Sequence, residues 1–120
     1  MENYKMGVVE SRFADLVWGH EPIGSGELVR LAGEELNWKK STTYTVIKKL
    51  CDKGIFKNEN SVVTSVVSRD QYLARQSRQF VEETFEGSLP GFLAAFAKEE
   101  ALSEEELAQI RRLIDDWGKV

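Results

Sequence analysis

Three apolar stripes of helical period, separated by chain breakers and confined to the first 54 residues, constrain this chain more than any other feature. The first spans about Val8 to Gly19, with Val9, Phe13, Leu16 and Val17 close to helical spacing and Trp18 widening the face. A breaker-rich turn follows, Glu21-Pro22-Ile23-Gly24-Ser25-Gly26, in which Gly24 or Ser25 is placed to cap the next helix. The second stripe, from about Gly26 to Leu36, sets Leu28, Leu31, Ala32 and Leu36 on one side. Asn37 and Trp38 interrupt it. The third spans about Ser41 to Lys53, with Val46, Ile47 and Leu50 turned inward and Gly54 in the usual stop position. Two short helices joined by a tight turn, the second polar and basic on its outer side, make a helix-turn-helix.

After Gly54 the period changes. Ile55-Phe56-Lys57 and Val62-Val63-Thr64-Ser65-Val66-Val67 are β-prone runs flanking a four-residue polar turn, Asn58 to Ser61, and predict a hairpin. Three helices followed by a hairpin is the order of a winged helix. Ser68 is placed to cap a helix from about Arg69 to Glu86, ended by Gly87, and Ser88 to cap another from Leu89 to about Glu100. Ser103 with Glu106 three residues on is a capping box for a last helix. The expected fold is therefore mainly α with a small β-hairpin wing: a winged helix-turn-helix head over residues 1–68 and a helical dimerisation region over 69–120. The last helices carry more apolar surface than they can enclose alone, notably Phe92, Leu93, Phe96, Leu107, Ile110 and Ile114, and a second copy of the chain would bury it.

Charge locates the face for a partner. The net charge is −4 over 120 residues, yet Lys39, Lys40, Lys48, Lys49, Lys53 and Lys57 stand against Asp52 alone between Trp38 and Lys57. Residues 59–120 are net acidic. A basic window on one helix and an acidic tail suit a head that meets double-stranded DNA and a tail held away from it. In a helix-turn-helix the start of the second helix faces base edges in the major groove. Here that stretch is Lys39-Lys40-Ser41-Thr42-Thr43-Tyr44-Thr45. Ser41, Thr42, Tyr44 and Thr45 are the candidates for base-edge contact, and Lys39, Lys40, Lys48 and Lys49 for phosphates. Thr43 lies nearer the core side, and at least one of Ser41, Thr42 and Thr43 is expected to cap the helix as well.

Other chemistries find little footing. The one histidine, His20, is expected in a turn, and the one cysteine, Cys51, sits on a helix with no base nearby in sequence. No disulfide framework, metal cluster, calcium loop or phosphate-cradling glycine loop is present in the sequence, so neither an enzyme nor a cofactor is expected. No membrane span or signal peptide is evident, and a cytoplasmic protein is expected. A second class of function stays open, a winged-helix protein-interaction module without DNA binding, motivated by the acid in the hairpin turn and the net negative charge.

These residues resemble the penicillinase-repressor family of winged-helix regulators, of the BlaI, MecI and CopY types. In the head the resemblance is carried by Glu10 with Trp18, Pro22-Ile23 before Glu27-Leu28, and Trp38 followed by Thr42, Thr45, Leu50 and Lys53-Gly54. In the tail it is carried by Gly87-Ser88-Leu89, by Phe92 to Phe96, and by Leu102 to Leu107. The resemblance implies a homodimer on a palindromic operator that represses adjacent genes. It also implies induction through a sensor protease that cuts within the dimerisation region. The matching position is Ala95-Phe96, where this chain has Ala in place of the family's usual Asn. Lys39-Lys40 replaces the usual Ser-Pro, the hairpin turn lacks the usual Arg or Lys with Gly, and the Cys-x-Cys pairs of copper-responsive members are missing.

Overall fold

The computed structural model describes residues 5–119. Among them the chain forms α1 (Val8–His20), β1 (Ile23–Gly24), α2 (Ser25–Leu36), α3 (Lys40–Asp52), β2 (Phe56–Glu59), β3 (Val62–Ser65), α4 (Arg69–Phe85), α5 (Leu89–Glu99) and α6 (Glu104–Trp117). Three helices and a small antiparallel sheet of order β1-β3-β2 constitute a winged helix. The chain divides into two compact units, the first ending at Ser77 and the second beginning at Arg78.

The head is held by one core to which every one of its elements contributes. Phe13, Ala14 and Val17 of α1, Leu28 and Ala32 of α2, Thr43, Ile47 and Leu50 of α3, and Ile55, Phe56, Val63 and Val67 around the sheet are buried. Val9, expected on the inner face of α1, is instead about half exposed, and Ala14 takes the inner place beside Phe13. Val46 is only partly buried and packs at the edge of the core. Asn37 ends α2 in the left-handed region (φ 57°), and the chain then turns so that Trp38 stacks on Phe13 with centroids 5.2 Å apart. Gly54, at φ 81°, closes α3, a conformation glycine adopts without a Cβ penalty.

Two anchors fix the sheet against the helices. Trp18 donates its indole N–H to the Val67 carbonyl at 3.0 Å and its ring contacts those of Phe56 and Tyr72. Glu21 accepts from both the Ser65 backbone N–H (2.8 Å) and the Ser65 hydroxyl (2.7 Å). The hairpin turn is shorter than the sequence predicts. Asn58 and Glu59 pair with Val63 and Val62, and only Asn60 and Ser61 bridge the strands. Both have positive φ (52° and 63°), the two-residue geometry whose twist matches that of the flanking strands. β1, which the sequence analysis places inside a turn, pairs Ile23 with Val63 and Gly24 with Val62.

The expected caps of α4, α5 and α6 are present. Ser68 and Gln71 exchange backbone-to-side-chain bonds in a capping box, with Gln in the third position. The Ser88 hydroxyl accepts from Gly91 N–H, and Ser103 with Glu106 forms the second box. Within the second unit Phe80, Phe85, Phe92 and Phe96 form a chain of ring contacts with centroids 5.5–6.2 Å apart.

Candidate nucleic-acid interface

α3 is amphipathic in the sense a reading helix requires. Thr43, Ile47 and Leu50 bury one side of it, which turns Ser41, Thr45 and Lys48, spaced by four and three residues, to the opposite side. Thr42 and Tyr44 are exposed on the flanks. The sequence-predicted base-contacting residues Ser41, Thr42, Tyr44 and Thr45 thus occupy the exposed surface of the first turns of one helix.

The expected hydroxyl cap is not made. The helix starts one residue earlier than predicted, with Lys39 in the cap position and no side chain bonded to the first N–H groups. Ser41, Thr42 and Thr43 lie inside the helix, where a hydroxyl reaches back along the helix more readily than forward to an N–H. Thr43 Oγ1 donates to the Lys39 carbonyl at 3.2 Å, and Thr45 Oγ1 donates to the Ser41 carbonyl at 2.9 Å. Each of these two hydroxyl protons is engaged within the helix. Thr45 therefore offers outward an acceptor oxygen and a methyl group, the pair suited to a base-edge amino group and a thymine methyl.

The six lysines of the basic window are not equivalent. Lys48 pairs with Asp52 at 3.0 Å, Lys49 and Lys53 with Glu10 at 3.1 and 3.4 Å, and Lys57 with Glu59 at 3.3 Å. Among the described residues no carboxylate pairs with Lys39 or Lys40. The unencumbered positive charge is concentrated at the start of α3, beside the N–H groups that its uncapped first turn leaves open. Counting charge along the sequence missed this. Glu10 lies 39 residues before Lys49, and no spacing rule connects them.

Two contacts engage the hairpin within the head. Its turn is tied to the start of α2 by a 2.8 Å bond from Ser25 N–H to the Ser61 carbonyl, and Glu59 neutralises Lys57.

The remaining candidates are placed as follows. His20 is the last residue of α1 and not part of the following turn, its Nδ1 2.8 Å from the Leu16 carbonyl. Cys51 is partly buried, and burial, reinforced by Asp52 and opposed by Lys48, pushes its thiol pKa up, away from the thiolate a nucleophile needs. Among the described residues no group of three His, Cys, Asp or Glu side chains is placed to hold a metal, and no helix is long and apolar enough to cross a membrane. In the second unit no residue of α5 or α6 is buried. Leu93, Phe96, Leu107 and Ile114 are exposed, while Phe92 and Ile110 are half-buried. Ala95-Phe96 lies in the interior of α5, with both residues exposed.

Comparison with known proteins agrees with this architecture. The chain is 20% identical over 118 residues, 95% of this chain and 96% of the relative, to the methicillin resistance regulatory protein MecI of Staphylococcus aureus (strain Mu50 / ATCC 700699). It is 21% identical over 105 residues to the penicillinase repressor of Bacillus licheniformis, covering 84% of this chain and 82% of the relative. To the penicillinase repressor of Staphylococcus aureus it is 23% identical over 119 residues, 96% of this chain and 94% of the relative. The family model for penicillinase repressors matches residues 6–116, and the chain belongs to that family.

Proposed function

We propose that this protein is a transcriptional repressor that binds a palindromic DNA operator as a homodimer and reads it with α3. The observation that carries the reading is the exposed row Ser41, Thr42, Tyr44 and Thr45 on one helix, with Lys39 and Lys40 at its start free of any carboxylate among the described residues. The polar row is directed at base edges. Lys39 and Lys40 supply the phosphate-directed charge, and Lys48 and Lys49 contribute in part because Asp52 and Glu10 share them. The hairpin adds little. Family membership supports the repressor assignment and is a membership among regulators, not enzymes.

The functional division runs between a DNA-binding head over residues 1–68 and a dimerisation region over 69–120. Exposed apolar side chains on α5 and α6, among them Leu93, Phe96, Leu107 and Ile114, support pairing of two copies through these helices. A dimer engages two half-sites, and the second is bound at the effective concentration set by the first, so separating the protomers releases the operator. Dissociation, or cleavage by a sensor protease at Ala95-Phe96, would have that effect. Cleavage there requires α5 to open locally, since the bond lies within a helix.

Selection of bound duplexes from a random library, followed by competition with random-sequence DNA, tests the reading. An enriched palindrome that random DNA does not displace supports it. Absence of enrichment would move the assignment to a winged-helix interaction module without DNA binding.

A further inference from the structure

Glu10, in the first turn of α1, is the only carboxylate among the described residues that holds two lysines at once, Lys49 near the end of α3 and Lys53 at its C-cap. Its two oxygens are divided between Lys49 Nζ at 3.1 Å and Lys53 Nζ at 3.4 Å, and Lys53 donates also to the Lys5 carbonyl at 2.7 Å. The Glu10 side chain is about four-fifths shielded from solvent, with 20% exposed, so the cluster is less screened than the surface pairs elsewhere on the chain. Burial pushes the Glu10 carboxyl pKa up, but hydrogen bonds and charge from Lys49 and Lys53 outweigh it and hold it below the ordinary carboxylate range. Glu10 is therefore ionised at neutral pH.

We propose that Glu10 attenuates the sequence-independent part of DNA affinity: by occupying Lys49 near the end of α3 and Lys53 at its C-cap, it withholds two cations from the phosphate backbone and keeps binding to arbitrary DNA weak. This inference rests on α3 being the DNA-reading helix. The sequence-independent part of DNA affinity grows with the number of lysines free to replace counterions, whereas discrimination comes from base contacts. A phosphate and the Glu10 carboxylate compete for the same ammonium groups. Fixing that carboxylate on a neighbouring helix lowers affinity for all sequences alike and leaves the hydroxyl row of α3 untouched.

The test compares the unaltered protein with Glu10→Gln, which keeps size and removes charge, on one duplex of arbitrary sequence between 50 and 200 mM salt, with thermal melting of each protein. The expected result is a plot of log affinity against log salt that is steeper by about 1–2 for Glu10→Gln, with affinity raised about 3- to 10-fold at the low-salt end. Glu10→Asp, which keeps the charge, is expected to stay close to the original slope. An unchanged slope with a lower melting temperature would show that Glu10 only tethers α1 to α3 and would overturn the proposal. Should Glu10→Gln fail to fold, Lys49→Gln and Lys39→Gln decide the matter. Loss of about 1 from the slope for Lys39→Gln and a clearly smaller loss for Lys49→Gln supports the proposal, and equal losses overturn it. A flat salt titration for the unaltered protein would instead remove the reading of α3 itself, and the proposal with it.

Discussion

Replacing Phe96 tests the proposed dimer directly. Phe96 is 45% exposed, and a phenylalanine side chain presents on the order of 200 Å². About 90 Å² is therefore left for a partner to cover, and at roughly 25 cal/mol per Å² this amounts to ~2 kcal/mol. A two-fold interface uses each residue twice, so Phe96→Ala weakens the dimer by ~4–5 kcal/mol, or about 1,000-fold in dissociation constant. Phe96→Asp exceeds this, because each carboxylate taken into the interface adds a desolvation cost of several kcal/mol. Sedimentation equilibrium over a concentration series reads the dissociation constant, and circular dichroism confirms that the helices remain. A Phe96→Ala protein of unchanged helicity whose dissociation constant stays within threefold of the original would refute the placement of Phe96 in the interface.

Three further outcomes are expected. Thr42→Ala and Thr45→Ala relax preference at particular base pairs of a selected site, while Lys39→Ala and Lys40→Ala weaken binding to every sequence; equal effects of the two classes would place the wrong side of α3 in the groove. Glu21→Ala removes a charged acceptor from two donors of Ser65 and lowers head stability by ~2 kcal/mol, a fall of about 8 °C or more in melting temperature at fixed protein concentration. A fall under about 2 °C would show the Glu21 anchor to be marginal. Ser61→Gly relieves a left-handed residue at φ 63° in the hairpin turn and raises stability by ~0.5 kcal/mol after the entropy cost of glycine; thermal melting detects it, and destabilisation of that size would assign the Ser61 side chain a role of its own.

The parts of the head that the sequence reveals are those written as local period or local chemistry. Phe13 and Val17, Leu28 and Ala32, and Ile47 and Leu50 recur at helical spacing and are all buried. Gly54, Ser88 and Ser103 stop or start helices through bonds made within a few residues, which composition can signal. What stayed hidden is non-local or conformational. β1 is two residues long, too short for any alternation, and exists only because Val62 and Val63 lie beside it. Asn58 to Ser61 is uniformly polar, so the limits of its turn depend on which residues take positive φ. The start of α3 and the fate of its hydroxyls depend on Lys39 adopting an extended backbone at the cap, which the string of lysines and hydroxyls does not specify. The pairing of Lys49 and Lys53 with Glu10 joins residues that only the packing of α1 on α3 brings together. The row of candidate base-contacting residues was legible because exposure follows from helical period alone. The distribution of usable charge was not, because it depends on distant carboxylates.

The most direct test of DNA reading by α3 is to follow the backbone amide resonances of the isotope-labelled protein as a selected duplex is added. The expected result is that the largest changes fall between Lys39 and Lys49, with small changes at Asn60 and Ser61 and on α5 and α6. Changes concentrated on the hairpin or on the C-terminal helices, with α3 unaffected, would contradict it.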